Sequence, residues 1–320
     1  MGTRPDLTKD LGAEIAPVPE GRGQRNWLWQ VIAGSRQAKI GLGVILFFVV
    51  IAVLAPWIAP YDVHTRVGAV YAPPSLKHPL GLDDGGIDML SLLIWGGRNS
   101  LIVGFAATLI AMVIGGGIGM VSGYFGGWSD ITLMRITDYF LVIPDLPLAI
   151  VVATVWGASM MHLIVVIALL LWTTTARLVR AEVKSVRERV YVRRERSLGA
   201  SDPRIIFRHV LPQIGPLLIA NTVLTVAVAI FDETALAFLG LGVPGAVTWG
   251  NIIEFAFLRT AISSGAWWAV IPAGLCVALV IMGCFWLGQA IEDALNPRLK
   301  VSYLSPRTFR LRLPKVVETP

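Results

Sequence analysis

Residues 101–124 read LIVGFAATLIAMVIGGGIGMVSGY, a run without a single charge. A bilayer core takes roughly 20 apolar residues as a helix, so this stretch reads as a membrane span. Gly115, Gly119 and Gly123 recur along it at every fourth position, and Gly127 continues the spacing just beyond. Glycines so spaced open a groove on one helix face, where another backbone approaches closely. Two uses fit that groove: packing between helices of one subunit, or a face against a pathway or a partner subunit.

The chain of 320 residues is 55% hydrophobic and 15% charged, well below the roughly 25% charge of soluble domains. Five more runs have spanning length: Ile40–Ile58, Ile131–Val155, Met161–Val179, Ile214–Phe231 and Val270–Ala290. Pro144 and Pro147 interrupt the run at 131–155, which is read as one kinked span. The fold class is an all-α integral membrane protein with six transmembrane helices. Cys276 and Cys284 share the last run. Eight residues along a helix is about 12 Å, too far for a disulfide, so both are read as packing residues.

Lys and Arg mark the cytoplasmic side of a membrane protein. With the N-terminus inside, the inner segments hold 23 basic residues and the outer ones four, namely Arg66, Lys77, Arg98 and Arg259. Both termini are therefore expected to be cytoplasmic. The first 39 residues mix Asp6, Asp10, Glu14 and Glu20 with basic residues, and no signal peptide is expected there. Trp27, Leu28, Val31 and Ile32 fall on one helical face, which suits a helix lying in the membrane interface. The expected organisation is a cytoplasmic tail with that helix over 1–38, a six-span domain over 39–300 and a basic cytoplasmic tail over 301–320.

The net charge of +6 is spread between apolar runs, which suits membrane topology and not nucleic acid. No phosphate-binding G-x-x-x-x-G-K-[ST] and no H-E-x-x-H occurs, and His64, His78, His162 and His209 are scattered. Asp83, Asp84 and Asp88 faintly suggest a calcium loop, but Ile94 stands where a bidentate Glu is needed. No catalytic, cofactor or metal residues are assigned. Arg135 and Asp138 lie three apart on one face and are expected to neutralise one another. Asp232 and Glu233 are placed after the fifth span, toward the outer surface. With no acids at mid-membrane, an ion-coupled secondary carrier is disfavoured.

The loop at 180–212 is the most organised polar stretch. Glu182–Leu198 has no Gly or Pro and favours helix; Gly199 suits the left-handed residue that ends one. Ser201 and Asp202 are good N-caps, Pro203 fits the first turn of a second helix, and Pro212 marks re-entry into the membrane. A basic loop held to anionic lipid would explain the charge. It would not need a Gly and a cap at set positions, which favours a docking element for a cytoplasmic partner.

YVRRERSLGASDPRIIFRHVLP (191–212) resembles the cytoplasmic "EAA" loop of ABC importer permeases, whose pattern is EAA, three residues, Gly, nine residues, I-x-L-P. Gly199, Leu211 and Pro212 match in register. HPLGLDDGGIDMLSLLIWGGRNSL (78–101), ETALAFLGLGVPGAVTWGNII (233–253), WWAVIPAGL (267–275) and DALNPRL (293–299) are similar to segments of the dipeptide/oligopeptide/nickel branch, in the subunit usually listed second. The resemblance runs from about residue 40 to 300. It implies a type I importer permease fold in a bacterial cytoplasmic membrane. The implied partners are a second permease, two ATPase subunits or domains that bind ATP and Mg, and an external binding protein. The implied cargo is short peptides, with nickel or another small solute as the alternative. The ATPase-coupling residues it implies are Tyr191, Arg193, Arg194, Glu195, Leu198, Gly199, Ala200, Ser201, Asp202 and Pro203. The chain departs from the pattern with Arg193, Arg194 and Glu195 at the EAA positions and His209 at the Ile position. Leu82 and Ile87 also stand where Thr and Arg are usual. Three readings follow for the first departure: an acid on the partner faces Arg193, Glu195 takes part of the role, or these side chains meet water and headgroups.

Overall fold

The computed structural model describes residues 27–157 and 159–295. The tail before Trp27, the tail over 301–320 and the end of DALNPRL lie outside the described residues. Those described form eleven α-helices and no strand, with one isolated bridge between Leu82 and Asp88.

A short helix α1 (Trp27–Gly34) precedes α2 (Arg36–Ile58), whose Ser35 N-cap accepts from the Ala38 N–H at 3.3 Å. Helix α3 (Met89–Phe125) has 37 residues and starts twelve before the apolar run. It starts there because the Asp88 carboxylate accepts the Ser91 N–H at 2.9 Å, satisfying a free N-terminal donor. Helix α6 (Met160–Arg187) starts the same way on Ser159, which accepts from the His162 N–H at 3.1 Å. Helix α9 (Leu211–Leu236) and α11 (Ile271–Leu295) complete the long spans, with α10 (Trp249–Leu258) between them.

Five long helices have the length and apolarity to cross a membrane, and a bent pair makes six where its two arms count as one span. That pair lies where a single kinked span is expected over 131–155. It is two helices, α4 (Gly127–Val142) and α5 (Asp145–Trp156), meeting at 89°. Pro144 offers no N–H and drives Ile143 into an extended conformation, φ −81° and ψ 126°. The arms are about 24 and 18 Å long, so neither reaches across a bilayer core of about 30 Å alone.

The glycine face of α3 packs on α6. A Cβ on Gly119 would sit 2.5 Å from the Ala176 carbonyl oxygen, one on Gly123 would sit 2.8 Å from that of Arg180, and one on Gly115 would overlap that of Trp172. Packing within the subunit is thus the use of this groove. Gly127 departs from the expected face: α3 stops at Phe125, and Gly127 opens α4 with open space around its Cβ position. Trp249 anchors one apolar cluster among α2, α3, α9, α10 and α11. Trp172 and Leu236 belong to a second, shared by α3, α5, α6 and α9.

Candidate functional site

The loop at 180–212 is seated on a third apolar cluster of Tyr124, Val179, Val183, Val186, Val192, Ile205, Val210 and Ile214. The helix expected over Glu182–Leu198 is interrupted: α6 ends at Arg187, Arg189 is extended, and α7 (Val190–Ser197) begins anew. The break lets Val192 fold back into the cluster, where it is 1% exposed. Helix α7 closes with the Ala200 N–H on the Glu195 carbonyl and the Gly199 N–H on that of Arg196, both 3.1 Å. Gly199 has φ +82°, a conformation that a side chain opposes.

The short helix α8 (Asp202–Ile205) follows with Pro203 in its first turn. Ser201 stands at the N-cap but its side chain makes no capping bond. The Asp202 carboxylate is not a cap either; it accepts the Tyr124 hydroxyl at 2.7 Å. Tyr124 is 2% exposed, and the Arg196 guanidinium lies 5.3 Å from its ring centre. Sequence reasoning missed Tyr124, which rides at the end of the glycine run and holds both sides of the Gly199 turn. Ile206–Val210 then forms a wide turn in which the Leu211 N–H reaches back to Ile206. Pro212 can donate nothing next in line, and widening the turn accommodates that loss.

Arg193 pairs with Glu188 of its own chain. Glu195 lies 3.9 Å from His209, whose ring is 6.3 Å from that of Tyr191. Arg194 is exposed, Ala200 is half-buried in the seat, and Val190, Leu198 and Phe207 stand out as uncovered apolar side chains. The surface is therefore a firmly seated turn carrying cations and a few apolar knobs.

A model of binding-protein-dependent transport system inner membrane components matches residues 115–301, which contain this loop, and one of the N-terminal domain of oligopeptide transport permease C matches 28–74. The chain belongs to this family of transport permeases. Among the permease's relatives, the dipeptide transport permease DppC of Alkalihalophilus pseudofirmus is 34% identical over 83% of this chain and 87% of that protein. The di/tripeptide permease DppC of Pseudomonas aeruginosa is 35% identical over 85% and 91%. The oligopeptide permease OppC of Mycobacterium tuberculosis is 35% identical over 82% and 91%. The permease is thus of the second-subunit type that its sequence motifs resemble, a multi-pass membrane protein and a component of transport.

Elsewhere in the permease the acidic residues take other partners. Asp83 accepts the Gly85 and Ile87 N–H groups at 2.9 and 2.7 Å, Asp84 pairs with Arg259, and Asp88 holds the start of α3 and His78 Nδ1 at 2.8 Å. These carboxylates diverge, and no group of metal-ligating side chains occurs among the described residues. Burial pushes the Asp83 carboxyl above its ordinary value, opposed by its N–H donors and Arg259. Asp232 and Glu233 are not at the surface, because α9 runs on to Leu236 and buries both. Ser100 donates to Glu233 Oε2 at 3.0 Å and accepts the Trp249 N–H at 3.1 Å, while Glu233 Oε1 has no partner. Trp249 Nε1 donates to the Leu93 carbonyl at 3.0 Å. This knot joins α3, α9 and α10. Arg135 and Asp138 do not pair either; Asp138 instead meets Arg177 of α6 at 2.6 Å.

Proposed function

We propose that this permease forms half of the translocation pathway of an ATP-driven importer of short peptides in a bacterial cytoplasmic membrane. A second, related permease completes the pathway, two ATPase subunits or domains bind ATP and Mg on the cytoplasmic side, and an external binding protein delivers the peptide. Residues 1–38 and 301–320 act as cytoplasmic tails around the spanning domain.

The observation that carries this reading is the seated turn at α7–Gly199–α8. Its backbone is closed by two hydrogen bonds and its flank is tied to α3 through Tyr124. A rigid knob between two spans can pass an ATPase's motion into both. In this reading Val190, Tyr191 and Leu198 enter the ATPase cleft. Arg194, Glu195, Ala200, Ser201 and Pro203 border the contact, and Asp202 fixes its angle. The Glu188–Arg193 pair supports an answer to the altered EAA positions: the Arg193 charge is met within the chain, so the partner needs no new acid. The peptide cargo is supported by the names of the relatives.

The test is uptake of a 14C-labelled dipeptide such as dialanine by proteoliposomes holding both permeases and the ATPases, with the binding protein added outside. Uptake is expected only with ATP inside. Uptake driven by an ion gradient without ATP would overturn the reading.

A further inference from the structure

Helix α4 buries only Asp130, Met134 and Thr137, while Ile131, Ile136, Tyr139 and Val142 are exposed. Lipid is as apolar as these side chains, so apolar contact holds α4 to the bundle only weakly, chiefly where the Phe140 ring meets Trp172 of α6 edge-on at 5.5 Å. Its polar ties are of a different kind. Asp130 receives Arg180 through two nitrogens, one at 2.8 Å, Lys184 at 2.6 Å and the Ser122 hydroxyl of α3. Two turns along, Asp138 receives Arg177 at 2.6 Å.

The spacing makes these one ladder. Asp130 and Asp138 stand about 12 Å apart along α4, and Lys184 and Arg177 about 10.5 Å apart along α6, so antiparallel helices bring both rungs into line. Ionic hydrogen bonds are strong and directional where water is scarce. Helix α6 runs, with only Glu188 and Arg189 between, into α7. Helix α4 leads through the Pro144 break into α5.

We infer that Asp130 and Asp138, held by Arg177, Arg180 and Lys184, are positioning residues that make α4 move with α6, so that displacement of the α7–α8 turn reaches the broken α4–α5 span. This rests on the importer reading above. It assigns that span to the moving part of the permease and makes the ladder its attachment.

The test uses the full complex purified with its partner subunits, with Cys276 and Cys284 replaced by Ala. Spin labels on Tyr139→Cys and Ser185→Cys report the α4–α6 distance. Labels on Ser185→Cys and Gln289→Cys report α6–α11; all three positions are exposed. Between the nucleotide-free and ATP-vanadate states, the α6–α11 distance is expected to shift by about 2 Å, the scale of helix displacements in such transitions. The α4–α6 distance is expected to stay fixed. Asp130→Asn with Asp138→Asn should let the α4–α6 distance broaden and shift while the α6–α11 change persists. Asp138→Asn alone, at a carboxylate that is 48% exposed, gives the same reading if the double variant does not fold. Exchanging the charges, Asp138→Arg with Arg177→Asp, should restore the fixed distance. A wild-type α4–α6 distance that shifts as much as α6–α11 overturns the inference, as does a double variant, or Asp138→Asn where the double does not fold, that still moves as one body, or an exchange that restores nothing. A wild-type complex in which neither distance responds to nucleotide overturns the importer reading itself.

Discussion

Gly119→Ala adds one methyl group at the closest approach of α3 to α6. Its Cβ would lie 2.5 Å from the Ala176 carbonyl oxygen, 2.8 Å from the Val179 Cβ and 3.0 Å from the Arg180 N. Carbon and carbonyl oxygen approach one another to about 3.3 Å, so the helices must part by about 0.8 Å. Both nearest obstacles belong to the neighbouring backbone or to a Cβ fixed on it, and no rotamer change relieves them. A gap of 0.5–1 Å forfeits roughly a quarter to a half of each dispersion contact along the seam, and overpacking of this kind costs about 1–3 kcal/mol. The gain in helix propensity from Gly to Ala, about 1 kcal/mol, offsets part of it. The net expectation is a loss of about 0–2 kcal/mol, or up to roughly 8 °C at the scale of about 2–4 °C per kcal/mol. Gly116 and Gly117 are internal controls: a Cβ at either meets open space, so Gly→Ala there keeps the propensity gain without the clash. Thermal unfolding of the purified permease in one detergent compares the three. Gly116→Ala and Gly117→Ala melting as low as Gly119→Ala would refute the assignment of this face to α6.

Gly199→Val places a β-branched residue at φ +82° with no neighbour within 4 Å. The cost is therefore conformational, about 1–2 kcal/mol, and the variant should insert normally, yet the complex that holds it should hydrolyse ATP with little uptake. Gly199→Asn, which tolerates that region better, should retain more uptake. Tyr124→Phe keeps the ring under Arg196 but removes the 2.7 Å bond to Asp202. A loss of about 1 kcal/mol and faster proteolysis between Glu188 and Arg208 are expected, with no additive loss on adding Asp202→Ala. Glu233→Gln keeps an acceptor for Ser100 and should melt close to the wild type. Glu233→Ala leaves the Ser100 hydroxyl, itself bound by the Trp249 N–H, without its acceptor and should cost about 1–3 kcal/mol.

The long spans were legible because an uncharged run of more than 20 residues has few other uses. Their ends were less so. Asp232 and Glu233 look like the edge of an apolar run, but nothing in them stops a helix; α9 continues to Leu236, and a wide helical turn carries the chain on to Gly240, at φ +80°. The turn at Gly199 was legible because its geometry is local, written in Gly199, Ser201 and Pro203. The break at Glu188–Arg189 was not, since neither residue opposes helix; tertiary burial of Val192 selects it. Pairing was the least legible feature. A spacing of three suggested Arg135 for Asp138, but the acid's partner lies 39 residues away on another helix. Tyr124 and Asp130 carry no local signature either, because their importance comes from what the fold brings beside them.

Two means of holding helices together in lipid coexist here, and they differ in what they permit. Apolar side chains alone do not draw helices together within a bilayer, so close backbone approach or polar ties must do it. Helix α3 meets α6 by the first means, through three glycines that leave no room for a different spacing. It is tied through Tyr124 to Asp202 and through Ser100 to Glu233. Over the stretch between those two ties, about 36 Å, it joins the α7–α8 turn to the knot at Trp249 as a stiff strut. Helix α4 meets α6 through one aromatic contact, Phe140 on Trp172, and otherwise by the second means, through side chains long enough to follow a displaced partner. Loss of a glycine contact should therefore lower the stability of the whole bundle, whereas loss of a rung should free one arm and leave the bundle standing. Melting temperature and label distance measure those two outcomes separately.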